Sequence, residues 1–309
     1  MIKLLNLIRE QIGRPKAVVM AGGGGTGKSY LLQQLDLNSL EQFNPDKYVE
    51  DPEHRFYNNL GAASSLVAKD VEAAAAKGTS FVWDTTASNP SKIKDILDKG
   101  YDVYMIMVYA HPMISYIANF ERKRALPAVA VFSTWRNVYQ LISQYQDMLG
   151  DNLSIFINDR GGKFNKEIEA FNKAAERGVN GIKEYLKSYN EKTGTGKSSF
   201  FTPVNMNSEE EQAFTSAVAD IEYEKDNRSE DKAIKKEFLK FYQKNGVGPG
   251  DDQLVKARDK FRDSKAKSDK RNSDVIENIA QMLFSSDFQK LLKSSSVADI
   301  DKKVQKFLA

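Results

Sequence analysis

The sequence contains no cysteine and only two histidines, His54 and His111. Without cysteine the chain can form no disulfide, no thiol nucleophile and no cysteine-ligated zinc site, a composition typical of proteins in a reducing cytoplasm. Two histidines so far apart in the sequence also argue against a metal centre built from imidazole ligands. These absences exclude thiol enzymes and favour a cytoplasmic location.

Long apolar runs are missing as well. The N-terminal segment carries Leu4, Leu5, Ile8 and Ile12 at helical spacing, but charged side chains interrupt it. This pattern predicts a short amphipathic helix rather than a signal sequence or a membrane span. We therefore expect no membrane contact.

Neither sign of charge dominates the sequence. The 309 residues include 45 Lys and Arg side chains and 42 Asp and Glu side chains, a net charge of +3. Such a balance gives no general reason to expect nucleic-acid or membrane binding. The length leaves room for one complete α/β domain and an appendage.

One motif is the most informative feature of the sequence. Residues 22–29 read Gly-Gly-Gly-Gly-Thr-Gly-Lys-Ser and match the phosphate-binding loop pattern G-x-x-x-x-G-K-S/T in full. The motif stands between a predicted buried strand and a predicted helix, which is the context that it requires. It predicts binding of a nucleoside triphosphate. The expected contacts are Gly22, Gly23, Gly24, Gly25, Thr26, Gly27, Lys28, Ser29 and Tyr30.

Each residue type in this motif has a physical role. Glycines let the backbone N–H groups approach phosphate oxygens without a Cβ in the way. Lys28 supplies a mobile positive charge for the β- and γ-phosphates, and the Ser29 hydroxyl can bind Mg²⁺.

The first half of the chain alternates predicted strands and helices. Five strands separated by helices predict a three-layer α/β fold of the P-loop NTPase type, with a five-stranded, mostly parallel sheet covered on both faces. Single helices are expected at residues 128–149 and 166–188.

From residue 208 onward the sequence is polar and helical. Helices are predicted at 209–243, 252–270, 275–283, 286–293 and 297–308, and residues 190–207, rich in Gly, Ser, Thr and Asn, predict a linker. The expected organisation is a P-loop domain at 1–189, a linker at 190–207 and an α-helical region of unknown role at 208–309.

A basic stretch lies within this helical region, at residues 256–271. Aspartates interleave with its lysines and arginines, which favours a solvated helix face over a nucleic-acid patch.

Two acidic residues follow predicted strands at the edge where the phosphate loop lies. Asp84 ends the apolar run 81–83 and could organise Mg²⁺, although the Thr- and Ser-rich sequence after it is also typical of a helix cap or turn. Asp46, in Asn-Pro-Asp, could take the proton of an acceptor hydroxyl, although this tripeptide is also a common turn.

Cationic and amide groups complete the candidate site. Arg122 and Arg124 lie between two predicted helices, where a mobile flap could close over a triphosphate, or where they could simply oppose a helix dipole. Asn158 follows the fifth predicted strand, at the position expected of an adenine-contacting loop, and could equally belong to a plain turn.

In this order the motifs resemble the P-loop kinases of the zeta toxin and polynucleotide kinase type. The resemblance covers about residues 16–190 and rests on residues 22–29, 44–46, 82–86 and 120–127. It implies ATP as donor, Lys28 and Ser29 at the phosphates and Mg²⁺, Asp46 as general base, and Arg122 and Arg124 as lid arginines.

Three functions are compatible with the sequence. The first is a Mg²⁺- and ATP-dependent kinase that acts on a hydroxyl of a small molecule or sugar nucleotide, the acceptor itself being unidentified. The second is a polynucleotide 5′-hydroxyl kinase, although a nucleic-acid partner is not favoured. The third is an ATP-binding switch or ATPase whose C-terminal helices contact a protein partner.

Overall fold

The computed structural model describes residues 13–51, 53–55, 60–121, 126, 128–195, 205–219, 221 and 228–309. The predicted N-terminal helix and the two lid arginines, Arg122 and Arg124, lie outside these residues. The described residues form two compact units. The first contains the described residues up to 195 together with 275–309, and the second contains those from 205 to 274.

The first unit is built on a five-stranded sheet. Its strands are β1 (Lys16–Ala21), β2 (Glu41–Phe43), β3 (Phe81–Asp84), β4 (Asp102–Tyr109) and β5 (Leu153–Ile157). They lie in the order β2-β3-β1-β4-β5, and every neighbouring pair is parallel. All five carboxyl ends therefore meet at one edge, where open α/β sheets bind their ligands.

Helices connect the strands and follow the last one. Those up to residue 193 are α1 (Lys28–Leu32), α2 (Asp46–Val49), α3 (Leu60–Lys77), α4 (Pro90–Asp98), α5 (Pro112–Phe120), α6 (Ala128–Tyr139), α7 (Ile142–Leu149), α8 (Asn165–Glu176) and α9 (Gly178–Thr193). Further along the chain are α10 (Ser208–Val218), α11 (Arg228–Asn245), α12 (Asp251–Phe284), α13 (Ser286–Leu291) and α14 (Val297–Leu308). Among the described residues, no helix combines the length and the apolar composition that a bilayer crossing requires.

Different helices cover the two faces of the sheet, as strand β1 shows. Its residues Ala17, Val19 and Ala21 belong to an apolar cluster with side chains of helices α3 to α9. Val18 and Met20 belong to a second cluster with side chains of α1 and α14. Successive strand residues point to opposite faces, so the sheet is the middle of three layers. The predicted three-layer α/β fold with a five-stranded, mostly parallel sheet is confirmed.

The C-terminal residues 275–309 complete the core of the first unit. Ile300 and Val304 of α14 are fully buried in the cluster on one face of the sheet. Phe288 of α13 is buried in the cluster on the other face. Between these helices the Ser295 N–H donates to the carbonyl of Ile155 (2.7 Å), alongside the outer strand β5.

This arrangement differs from the linear order of domains expected from the sequence. The prediction placed all of residues 208–309 in a region apart from the P-loop domain, whereas residues 275–309 pack with the sheet. The physical reason is that an apolar pair at i,i+4 spacing specifies a buried helix face but not the surface that buries it.

Several predicted helices also differ from those in the structure, among them the one at 209–243, which is divided between α10 and α11. The helix expected at 128–149 is divided between α6 and α7, and the one at 166–188 is divided between α8 and α9, where Gly178 has a φ of +73°. The helices expected at 252–270 and 275–283 are one continuous helix, α12, because neither Gly nor Pro separates them.

The second unit is a small helical assembly with its own core. Helices α10, α11 and the first part of α12 bury Phe214, Ile234, Phe238 and Leu254. The rings of Phe214 and Phe238 meet edge to face with centroids 5.3 Å apart, a geometry that aromatic pairs favour.

Candidate functional site

The phosphate-binding loop joins the end of β1 to α1. Gly25 and Gly27 have φ angles of +77° and +96°, which side-chain-bearing residues rarely adopt. A Cβ on Gly25 would stand 2.6 Å from the Ser115 carbonyl oxygen, and one on Gly27 would collide with the Asn158 amide. The loop is thus a close-packed turn that only glycine permits at these positions.

Hydrogen bonds hold the loop from behind. The Thr26 side chain is fully buried and donates to the Gly23 carbonyl (2.9 Å). Asn158 Nδ2 donates to the Thr26 carbonyl (2.8 Å), and the Asn158 N–H donates to the carbonyl of Tyr109 at the end of β4 (2.7 Å). Asn158, predicted near adenine, therefore connects the end of β5 to the phosphate-binding loop.

Lys28 lies between the loop and a buried carboxylate. Its Nζ donates to the carbonyls of Gly22 (2.9 Å) and Gly23 (3.2 Å) and lies 3.9 Å from Asp84 Oδ1. The Asp84 side chain is 8% exposed and that of Lys28 is 15% exposed, so their attraction is only weakly screened by solvent. The parallel register that pairs Met20 with Asp84 brings the two groups together.

Asn44 connects the two predicted acidic residues. Its Nδ2 donates to Asp84 Oδ2 (3.3 Å), and its Oδ1 accepts from the N–H of Asp46 (2.8 Å), the first residue of α2. The sequence indicated only a turn at this asparagine, because its side-chain partner Asp84 lies 40 residues away. Asn44 thus connects Asp84, the candidate metal ligand, with Asp46, the candidate general base, through hydrogen bonds.

A cleft of about 570 Å³ opens above these groups at the carboxyl edge of the sheet. Seven of the predicted nucleotide contacts line it, together with Asp46 and Asp84; they are Gly23, Gly24, Gly25, Gly27, Lys28, Ser29 and Tyr30. Gly22, Thr26 and Asn158 instead make the hydrogen bonds within and behind the loop described above. The volume is in the range of small-molecule sites, roughly 300–1,000 Å³.

The described ends of the predicted flap border this cleft. Glu121 and Leu126 line it. Asn119 is buried and forms two hydrogen bonds with the main chain of Leu126. Its Nδ2 donates to the Leu126 carbonyl (2.8 Å), and its Oδ1 accepts from the Leu126 N–H (2.8 Å). Arg122 and Arg124 lie outside the described residues, so their predicted role as lid arginines stays a prediction.

Besides Lys28, the cleft is lined by Lys92 and Arg160, and the sequence pattern predicted no separate role for Arg160. Arg160 lies in the loop after β5, with its Nη1 4.0 Å from Glu121 Oε2 and its N–H donating to Asn158 Oδ1 (3.2 Å). Its φ of +55° is uncommon for a residue with a side chain. A basic residue held in this way can contact an anionic ligand in the cleft.

An aromatic wall of Tyr109, Trp135, Tyr139 and Phe288 stands behind the phosphate-binding loop. Trp135 Nε1 donates to the Ala110 carbonyl (2.8 Å), and the Tyr139 hydroxyl donates to a β4 carbonyl (2.6 Å). Burial raises the pKa of Tyr109 and Tyr139, so both phenols stay protonated and serve the packing of the loop.

One family model is similar to part of the chain. Residues 3–139 match the family model described as Zeta toxin. The search of curated proteins returned no match. The family match confirms the resemblance that the motifs of the sequence indicated.

Two solved structures are similar to part of this chain. The match to a chain in a crystal structure of AvrRxo1-ORF1:AvrRxo1-ORF2 with sulphate ions has 17% sequence identity and a TM-score of 0.38. It covers 48% of this chain and 56% of that chain. The match to a chain in a structure of the PezAT chromosomal toxin–antitoxin system of Streptococcus pneumoniae has 15% sequence identity and a TM-score of 0.36. It covers 48% of this chain and 70% of that chain. This chain spans little more than half the length of the first of these.

Proposed function

We propose that the protein transfers the γ-phosphoryl group of ATP to a hydroxyl of a small molecule or sugar nucleotide, with Mg²⁺ as cofactor. The match of residues 3–139 to the Zeta toxin family model supports this proposal. The observation that carries the proposal is the meeting of Lys28, Asp46 and Asp84 in one cleft, linked through Asn44. A phosphate site alone would serve any ATPase, whereas a carboxylate beside it can serve an acceptor.

In this proposal Asp46 orients the acceptor hydroxyl and takes its proton as the oxygen attacks the γ-phosphorus. The bond between that oxygen and phosphorus forms, the bond from phosphorus to the β,γ-bridging oxygen breaks, and ADP leaves. Lys28 and the loop N–H groups balance the charge that develops on the phosphates. Arg122 and Arg124 are proposed to do the same from the flap.

The residues of the cleft fit a magnesium ion. Mg²⁺ at a nucleotide takes most of its oxygens from phosphate and water and needs only one or two protein ligands. The Ser29 hydroxyl and the buried Asp84 carboxylate are hard oxygen donors of that kind. Within the part of the chain that the structure describes, no group of three or more His, Cys, Asp or Glu side chains comes together as metal ligands. When bound, Mg²⁺ would neutralise phosphate charge.

The test is the fate of the γ-phosphate. The protein is incubated with ATP labelled at that phosphate and with a cell extract of small molecules, and the labelled products are separated. The Lys28→Ala variant should lose transfer. Asp46→Asn should lose about 10²–10⁴-fold in transfer rate while ATP affinity stays unchanged. Asp147→Asn, an exposed carboxylate on α7, is the matched control and should behave as wild type.

Other outcomes identify the alternatives. Label on the 5′ ends of added DNA or RNA would indicate a polynucleotide kinase, and its binding should then weaken steeply with salt. Label passing only to water would indicate an ATPase or switch. Full transfer by Asp46→Asn would remove Asp46 as the base.

A further inference from the structure

A second cavity, of about 380 Å³, lies next to the cleft, between α3 and α4. Trp83 of β3 and Lys92 of α4 line both spaces. The same cleft is also lined by Lys28, Asp46 and Asp84. A molecule seated over Trp83 is therefore within reach of the groups proposed to handle the γ-phosphate.

The floor and the rim of the cavity are lined by different kinds of side chain. Val71, Ala75, Trp83 and Ile96 form the floor; all are buried side chains without a charge. Charged groups lie at the rim and are of both signs: Glu72, Lys92, Asp95, Asp98 and Lys99. Such a balance selects neither an anion nor a cation, and the uncharged floor favours an apolar contact over an ionic one.

We propose that this cavity holds an uncharged apolar or aromatic group of the acceptor, whose hydroxyl extends past Trp83 into the cleft. This inference rests on the proposed function and names the class of acceptor for it. The volume suits one ring system, since ligand pockets of roughly 300–1,000 Å³ enclose whole small molecules. Lys92, at the junction of the two spaces, contacts the part of the acceptor that lies between ring and hydroxyl.

The binding of tryptophol, an indole that carries a primary alcohol, tests the cavity directly. Binding to the full chain is measured by ligand-observed NMR. Ala68→Leu places extra carbons in the cavity, and Ala73→Leu makes the same change at an exposed position of α3. We expect wild type and Ala73→Leu to bind alike and Ala68→Leu to bind about tenfold more weakly. The nearly isosteric Ala68→Ser should bind a few-fold more weakly.

Two results would overturn the cavity as a binding site. One is equal affinity of wild type and Ala68→Leu when both bind ATP normally. The other is no saturable binding of tryptophol to wild type up to about 1 mM.

Transfer to the extract-derived acceptor separates this inference from the proposed function. Ala68→Leu should lose about tenfold in kcat/KM for that acceptor, Ala73→Leu should lose none, and release of label to water should be equal in all three proteins. Undiminished transfer by Ala68→Leu would refute the acceptor role of the cavity and leave the kinase intact. Label on no hydroxyl compound in any protein would refute the kinase, and the acceptor role with it.

Discussion

Replacing Ile300 by alanine should destabilise the unit that carries the cleft. Ile300 lies in α14, fully buried on the sheet face that also contains Val18 and Ile106. The substitution removes three carbon atoms, at about 0.8 kcal/mol of lost transfer free energy each. The cavity left in a close-packed core adds to this loss, so the free energy of unfolding should fall by about 3–4 kcal/mol.

Tryptophan fluorescence in urea measures the loss of stability of the first unit, which contains the sheet. The chain has two tryptophans, Trp83 and Trp135, and both lie in the unit that contains the sheet. With a denaturant slope of about 3 kcal/mol per molar urea, the unfolding midpoint should fall by about 1 M. Lys303→Ala, at an exposed position of the same helix, should move it by no more than about 0.2 M.

The comparison of these two variants tests whether α14 packs on the sheet. Equal, small shifts for Ile300→Ala and Lys303→Ala would mean that α14 does not cover the sheet and that the region from residue 208 stands apart. A large shift for Ile300→Ala alone would mean that deleting residues 208–309 removes part of the core of the first unit. Such a deletion then says nothing about the role of the second unit.

Two further predictions concern a buried histidine and the phosphate-binding loop. Burial lowers the pKa of His111 to about 4, against a weaker opposing hydrogen bond with Asn172, so the unfolded chain binds a proton that the folded protein does not between pH 6.5 and 4. Stability should fall by about 3 kcal/mol as the pH drops through that window. In His111→Asn the amide oxygen can accept from the Met113 N–H as His111 Nδ1 does, so this variant should keep the helix cap and flatten the slope in urea titrations at several pH values. Gly27→Ala should weaken ATP binding about tenfold or more by calorimetry, because its Cβ meets Asn158 at a positive φ. Gly23→Ala should bind ATP within a few-fold of wild type, since its Cβ meets only ordinary contacts at 3.6 Å, and equal losses in both variants would contradict the argument.

The sequence predicted best the features that a single segment carries. Residues 22–29 form their turn from their own glycines and the helix that follows, so the pattern locates the loop without further information. The apolar run of β4 likewise identifies a strand buried on both faces. From these local signals the parallel sheet and its ligand-binding edge could be predicted.

Contacts between distant segments left no comparable signal. Asn44 reads as a turn residue, and its bond to Asp84 depends on two strands becoming neighbours. The spacing of Ile300 and Val304 predicts an amphipathic helix, but the surface that it covers depends on the fold of the whole unit. The roles assigned to Asp46, Arg122 and Arg124 stay predictions.

The position of α14 has a consequence for synthesis of the protein. Roughly 150 residues separate the end of β5 from Val304, a delay of roughly 7–30 s at ribosomal rates of about 5–20 residues per second. During that interval the nascent sheet has one apolar face without its covering helix, including Met20 and Tyr104. Side chains of α1 belong to the same apolar cluster as those of α14. Translation therefore delays the completion of the core that packs against α1.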